Sequence, residues 1–260
     1  MNELPRRFER PSPLAFALVL GAAAFLIASL HGIGFSASGF LSGVPNMGRM
    51  LGEMFPPSIE RVGPVGKALL ETFQMALVGT LAGVALSLPL AVLATRHLSP
   101  HAAVYHAART LIAFFRTVPD LVWALFFVVA VGLGPFAGTL AIMVDIIGFC
   151  GRFFAEAMEE AERGPQEALH ALGAGRAAVI GAAVIPAAMP SFVNTALFSL
   201  EKATRSSVVL GLVGAGGIGI ELQVSMDLFR YAEASAIIIA IFILVVTVEQ
   251  CSAWLRRHLI

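Results

Sequence analysis

Charge is what this sequence has least of. Asp, Glu, Lys and Arg make up 13% of the 260 residues, against roughly 25% in an ordinary soluble domain. That shortage excludes a soluble enzyme. Neither sign dominates: 17 basic and 17 acidic residues give a net charge of zero. The basic excess of a nucleic-acid binder is therefore missing. Cysteine is scarce too. Cys150 and Cys251 each lie in an apolar stretch, which suits packing and not a disulfide framework. The sequence shows no tandem repeat, no low-complexity tail, no room for a second soluble domain and no nucleotide-binding domain.

What is present is apolar. Hydrophobic residues reach 58% and the mean hydropathy is +0.85. We therefore expect an all-α integral membrane protein. A bilayer core takes about 20 apolar residues per helix, and six transmembrane helices are predicted: Leu14–Leu30, Leu69–Thr95 (interrupted by Pro89), Val118–Leu133, Phe136–Phe154, Val179–Leu200 and Ala234–Trp254. The stretch from His31 to Gly66, with Pro45, Pro56, Pro57 and Pro64, reads as an irregular aqueous loop. Arg6, Arg7 and Arg10 precede the first apolar run as in a signal peptide. The run is longer than a usual signal core, and Ser29-Leu30-His31-Gly32 is a poor cleavage site, so a retained span is expected.

Basic residues orient the spans. With the N-terminus inside, eleven of the 17 Lys and Arg fall on the inner side and six outside. N- and C-termini are thus predicted in the cytoplasm, together with the segment 155–178.

That segment carries Glu156, Glu159, Glu160, Glu162, Arg163, Glu167 and Arg176. Each ion at the centre of a bilayer costs about 3 kcal/mol, so the segment is a solvated connection. Pro165 suits a first helical turn and Glu167 is favoured by the helix dipole. Ala168, Leu169, Ala171 and Leu172 make an apolar stripe at helical spacing. Gly173 and Gly175 permit a sharp exit. By chemistry alone this is either a polar loop or a helix whose small apolar face docks in a partner's groove.

The run resembles the EAA motif of bacterial ABC-importer permeases. Glu167, Ala168, Gly173 and Pro186 match that motif at its spacing, while Leu169, Ala183 and Ile185 replace one apolar residue with another. Three further stretches, Phe115–Ala124, Val131–Gly138 and Arg205–Gly219, resemble as a set the permease of phosphonate-type importers, over about residues 67 to 258. The resemblance implies a methionine-permease-like core at 67–260, with five helices and a coupling helix at about 163–176. Residues 1–66 are then an N-terminal tail, first transmembrane helix and periplasmic loop. It implies a homodimer in the bacterial inner membrane, a cytoplasmic ABC ATPase dimer and a periplasmic or lipid-anchored solute-binding protein. Membrane lipid surrounds it, and no nucleic acid, cofactor or metal is implied. The chain is then a transport subunit for a phosphonate or related phosphorus oxyanion, and ATP hydrolysis belongs to the partner. Glu167, Ala168, Gly173 and Pro186 form the coupling element, with Pro186 breaking the helix where it re-enters the membrane.

The stretch Gly214 to Gly219 fits G-x-G-x-x-G. A dinucleotide site needs strand, turn and helix in one unit, and the following residues form a membrane span. Irregular backbone at membrane depth, tolerated only against protein or a water-filled cavity, is the better reading. Gly214, Gly216, Gly217 and Gly219 are thus assigned to the path or gate, with Arg205, Ser206 and Ser207. Guanidinium pairs well with phosphonate oxygens. The plainer alternative for Arg205 is a loop arginine paired with Glu201. Arg116 is either a headgroup anchor or a pathway residue. Asp145 is expected to pair with Arg152 or Arg116 or to line the cavity. His97, His101 and His106 lack nearby Cys or carboxylates and read as interfacial. Glu71, Thr72 and Gln74 stay unassigned. A methionine importer and a stand-alone secondary transporter remain open, although the latter needs paired intramembrane ions or an inverted repeat.

Overall fold

A computed structural model describes residues 12–34 and 36–259. Arg6, Arg7 and Arg10 lie outside the described residues. Every regular element among those described is helical. The chain divides after Gly52 into two compact units.

The first unit holds α1 (Pro13–Gly32) and most of α2 (Ala37–Glu53). Ser12 caps α1 by accepting the Ala15 amide at 3.2 Å. The irregular loop expected at 31–66 is corrected by α2. Phe40, Val44, Met47 and Leu51 recur on one face, and Ser38, Ser42, Asn46 and Arg49 on another. That periodicity carries a helix through Pro45.

The second unit is built on α3 (Val62–Leu93), α6 (Pro135–Glu160), α9 (Ile185–Gly211) and α11 (Tyr231–Leu259). α3 and α6 lie so close that a Cβ at Gly79 would sit 2.7 Å from Ile142. Small residues allow such approach between membrane helices. Met75, Ile142, Ile146, Phe154 and Leu210 fill the core.

The third span differs from expectation. α4 (Ala102–Thr117) and α5 (Asp120–Val131) meet at 90°. α5 has 12 residues, about 18 Å of helix, too short for a core of about 30 Å. Pro119 causes the break. It disfavours helical backbone at the preceding residue, and Val118 has ψ 121°. Trp123 braces the corner, 5.7 Å from Phe114 and 6.0 Å from Phe115.

The fifth span is longer than expected. α8 (Arg176–Val179), a π-helical turn (Ile180–Val184) and α9 form one helical run of 36 residues, Arg176–Gly211. Pro186 does not break it. The residue stands in the first turn of α9, after the wide turn, where a missing N–H is tolerated. Likewise α6 runs on to Glu160, so Glu156, Glu159 and Glu160 are helical and not in a loop.

Candidate functional site

Two regions collect the chemically distinctive residues. The first is α7 (Arg163–Ala171), between α6 and the long run. Gln166 is buried and donates to the Glu162 carbonyl at 3.0 Å. Leu169 packs on the core. Glu167, Ala168 and Ala171 stay exposed, and Leu172 is 83% exposed. The expected stripe is thus divided: Leu169 points inward and the rest form an outward apolar face.

The helix closes as a Schellman motif. Gly173 donates to His170 and Ala174 to Leu169, each at 3.0 Å, and Gly173 has φ +78°. A cleft of about 410 Å³ beside α7 is lined by His97, Arg163, Glu167, His170 and Arg176. Burial lowers the His97 pKa below 6.5, the nearby Arg163 cation adds to that, and Glu159 opposes it.

The second region surrounds α9. Ser191, Asn194, Phe198, Arg205 and Val209 are exposed at intervals of three, four or seven residues, along one helix face. Lys202 belongs to the same face, with its side chain 35% exposed. Its ammonium donates to Asp145 Oδ1 at 2.9 Å and Oδ2 at 2.8 Å. Asp145 therefore pairs with Lys202 and with neither candidate arginine: Arg152 pairs with Glu156 at 2.6 Å, and Arg116 is exposed. Arg205 is helical and not in a loop, and Glu201 binds Arg256. Ser206 is half-buried, while Ser207 is buried and donates to the Thr204 carbonyl at 2.9 Å.

The glycine-rich turn follows the end of α9 and lies against α3 and the start of α6. Gly217 donates to Glu71 Oε1 at 2.8 Å and Ile218 to Thr72 Oγ1 at 2.7 Å. These two amides start α10 (Ile218–Asp227). Gly134 donates to the Gly214 carbonyl at 3.0 Å. Gly216 has φ +87°, and a Cβ there would lie 2.6 Å from the Pro135 nitrogen. Gly219 packs against Gly211 and Val208. The expected irregular backbone is present, braced by protein on several sides. Glu71 and Thr72, unassigned by sequence, hold it. Their pairing joins residues 146 positions apart, and local spacing carries no sign of it.

A family model described as binding-protein-dependent transport system inner membrane component matches residues 83–260. The chain belongs to that family. This permease is a transport subunit, not an enzyme. It is 41% identical over 208 residues to the phosphate-import permease protein PhnE of Mycolicibacterium smegmatis, covering 80% of this chain and 39% of that protein. It thus spans about two-fifths of that relative. It is 38% identical over 222 residues to the phosphite transport system permease protein PtxC of Stutzerimonas stutzeri, covering 85% of this chain and 81% of that one. Among solved structures, the inward-facing MetNI methionine ABC transporter matches at TM-score 0.68 and 24% identity, over 78% of this chain and 99% of that one. An amino acid ABC transporter crystallised with histidines matches at 0.64 and 18% identity, over 76% and 95%. These likenesses fix an importer-permease fold. The protein is a multi-pass membrane component; among the described residues five helices are long and apolar enough to cross a membrane, and a sixth span is added if the bent pair counts as one.

Proposed function

We propose that two copies of this chain form the pathway of an ATP-driven importer for a phosphonate, phosphite or related phosphorus oxyanion. The observation that carries the reading is the polar strip on α9. A helix of apolar composition gains nothing from presenting Asn194, Lys202 and Arg205 to lipid, where ions are costly. The strip belongs against water and a second copy. Kinship with phosphate-import and phosphite permeases supports an anionic cargo, and two cations on one strip suit it.

Residues 67–260 form the transmembrane core, with both termini and α7 in the cytoplasm. Glu167, Ala168, Gly173 and Pro186 act in coupling. The exposed face of Ala168, Ala171 and Leu172 enters a groove on the ATPase, and a solute-binding protein delivers cargo outside. ATP binding draws the two α7 helices together and rocks the spans outward-open, and hydrolysis resets them. The turn Gly214–Gly219 gates the path beside Arg205, Ser206 and Ser207. Arg116 anchors the inner interface.

The test is ATP hydrolysis by the complex in liposomes, with its ATPase and binding protein, offered a phosphonate, phosphite, phosphate and methionine. Stimulation by a phosphorus oxyanion alone is expected. Stimulation by methionine alone keeps the importer and overturns the cargo.

A further inference from the structure

Lys202 and Asp145 make an unusual use of an ion pair. Asp145 lies well inside α6 and Lys202 well inside the Arg176–Gly211 run, both far from helix ends. Each alone is costly at that depth, and pairing offsets the cost. An ion pair inside the membrane is by itself weak evidence for a stabilising role, because desolvating both charges cancels much of their attraction. Here the lysine side chain is 35% exposed and the aspartate 18%.

The lysine has spare capacity. An ammonium carries three N–H donors, and two contacts go to Asp145. Phe149 lies 5.2 Å from the ammonium and stacks on Phe198 at 5.8 Å, giving the cation an apolar floor and no second acceptor. Arg205, three residues on, shares the exposed face, and no carboxylate among the described residues pairs with it.

We propose that Lys202 and Arg205 form a two-step anion ladder in the path, with Asp145 as a built-in counter-ion that occupies Lys202 between cargoes. The inference rests on the oxyanion reading above. An arriving oxyanion competes with the Asp145 carboxylate for the ammonium. The same carboxylate repels the bound anion and keeps the step weak. Conduction needs that balance, since a site must be attractive enough to enter and weak enough to leave.

The test is phosphite uptake into liposomes holding the permease with its ATPase and binding protein. Asp145→Asn with Lys202→Gln keeps a hydrogen-bonding pair and removes both charges. Uptake should fall at least tenfold, while the ATPase still co-purifies and the unfolding temperature holds. Wild-type uptake by this double variant makes the pair merely structural and overturns the ladder. Should the double variant fail to assemble, Arg205→Gln decides: uptake should fall at least tenfold while the ATPase still co-purifies, and wild-type uptake in that variant overturns the ladder. Wild-type permease that imports no phosphorus oxyanion sinks the cargo reading itself, a result distinct from unchanged uptake in the variants.

Discussion

Thr72 on α3 accepts the backbone N–H of Ile218 at 2.7 Å and so caps a helix that begins 146 residues later. The threonine is fully buried. Its hydroxyl also donates to the Ala68 carbonyl at 2.8 Å. Losing a cap costs about 1 kcal/mol, and a buried unsatisfied donor about 1–3 kcal/mol. Thr72→Val should lower the unfolding temperature of the detergent-purified permease, while Thr72→Ser stays near wild type. Equal behaviour of the two would remove the cap from the account.

Two glycines with positive φ should respond differently to alanine. At Gly216 a Cβ meets the Pro135 backbone, whereas around Gly173 the space is open. Gly173→Ala therefore carries only the conformational cost, roughly 1–2 kcal/mol. Gly216→Ala adds a backbone collision and should be the more destabilising in thermal unfolding. The opposite order would refute the packing reading of the glycine-rich turn.

Leu172→Glu puts a charge on the exposed face of α7 without touching the core. The permease should unfold at its usual temperature yet lose most of its co-purifying ATPase. Full recovery of the ATPase would take that face out of the coupling surface.

Glu160 is exposed at the end of α6. In a background with Cys251→Ser, Glu160→Cys should react with a membrane-impermeant maleimide only in inside-out vesicles. Labelling of intact cells would invert the proposed orientation.

His97 lends stability a pH dependence of known sign. Its folded pKa is lowered from 6.5. Above pH 6.5 the ring is neutral in both states and contributes no pH dependence. As pH falls through 6.5 the unfolded chain takes up the proton first, so stability declines until the folded ring titrates. His97→Gln should flatten that decline in unfolding scans below pH 6.5. An unchanged acid limb would assign it to other groups.

Hydropathy made the membrane helices legible, because burial in lipid is written into each segment. The expected third span begins at Val118, next to Pro119; the helix before the proline, α4, and its bend into α5 were not foreseen. The amphipathic spacing of Phe40, Val44, Met47 and Leu51 was readable and was outweighed by the prolines around it. Gly173 was readable because a helix exit is local chemistry. Asp145 needed a partner, yet the nearer arginines were favoured over Lys202, 57 residues away. Long-range pairs of this kind follow from packing, which spacing does not encode.

The wide turn at Ile180–Val184 has one more consequence. A π turn amounts to one extra residue threaded into an α-helix, and one residue is about 100° of rotation. Those five residues therefore set the azimuth of everything beyond them relative to Arg176. Remove one, and the whole strip from Ser191 to Val209 swings about a quarter-turn relative to Arg176, while every side chain in the chain keeps its chemistry.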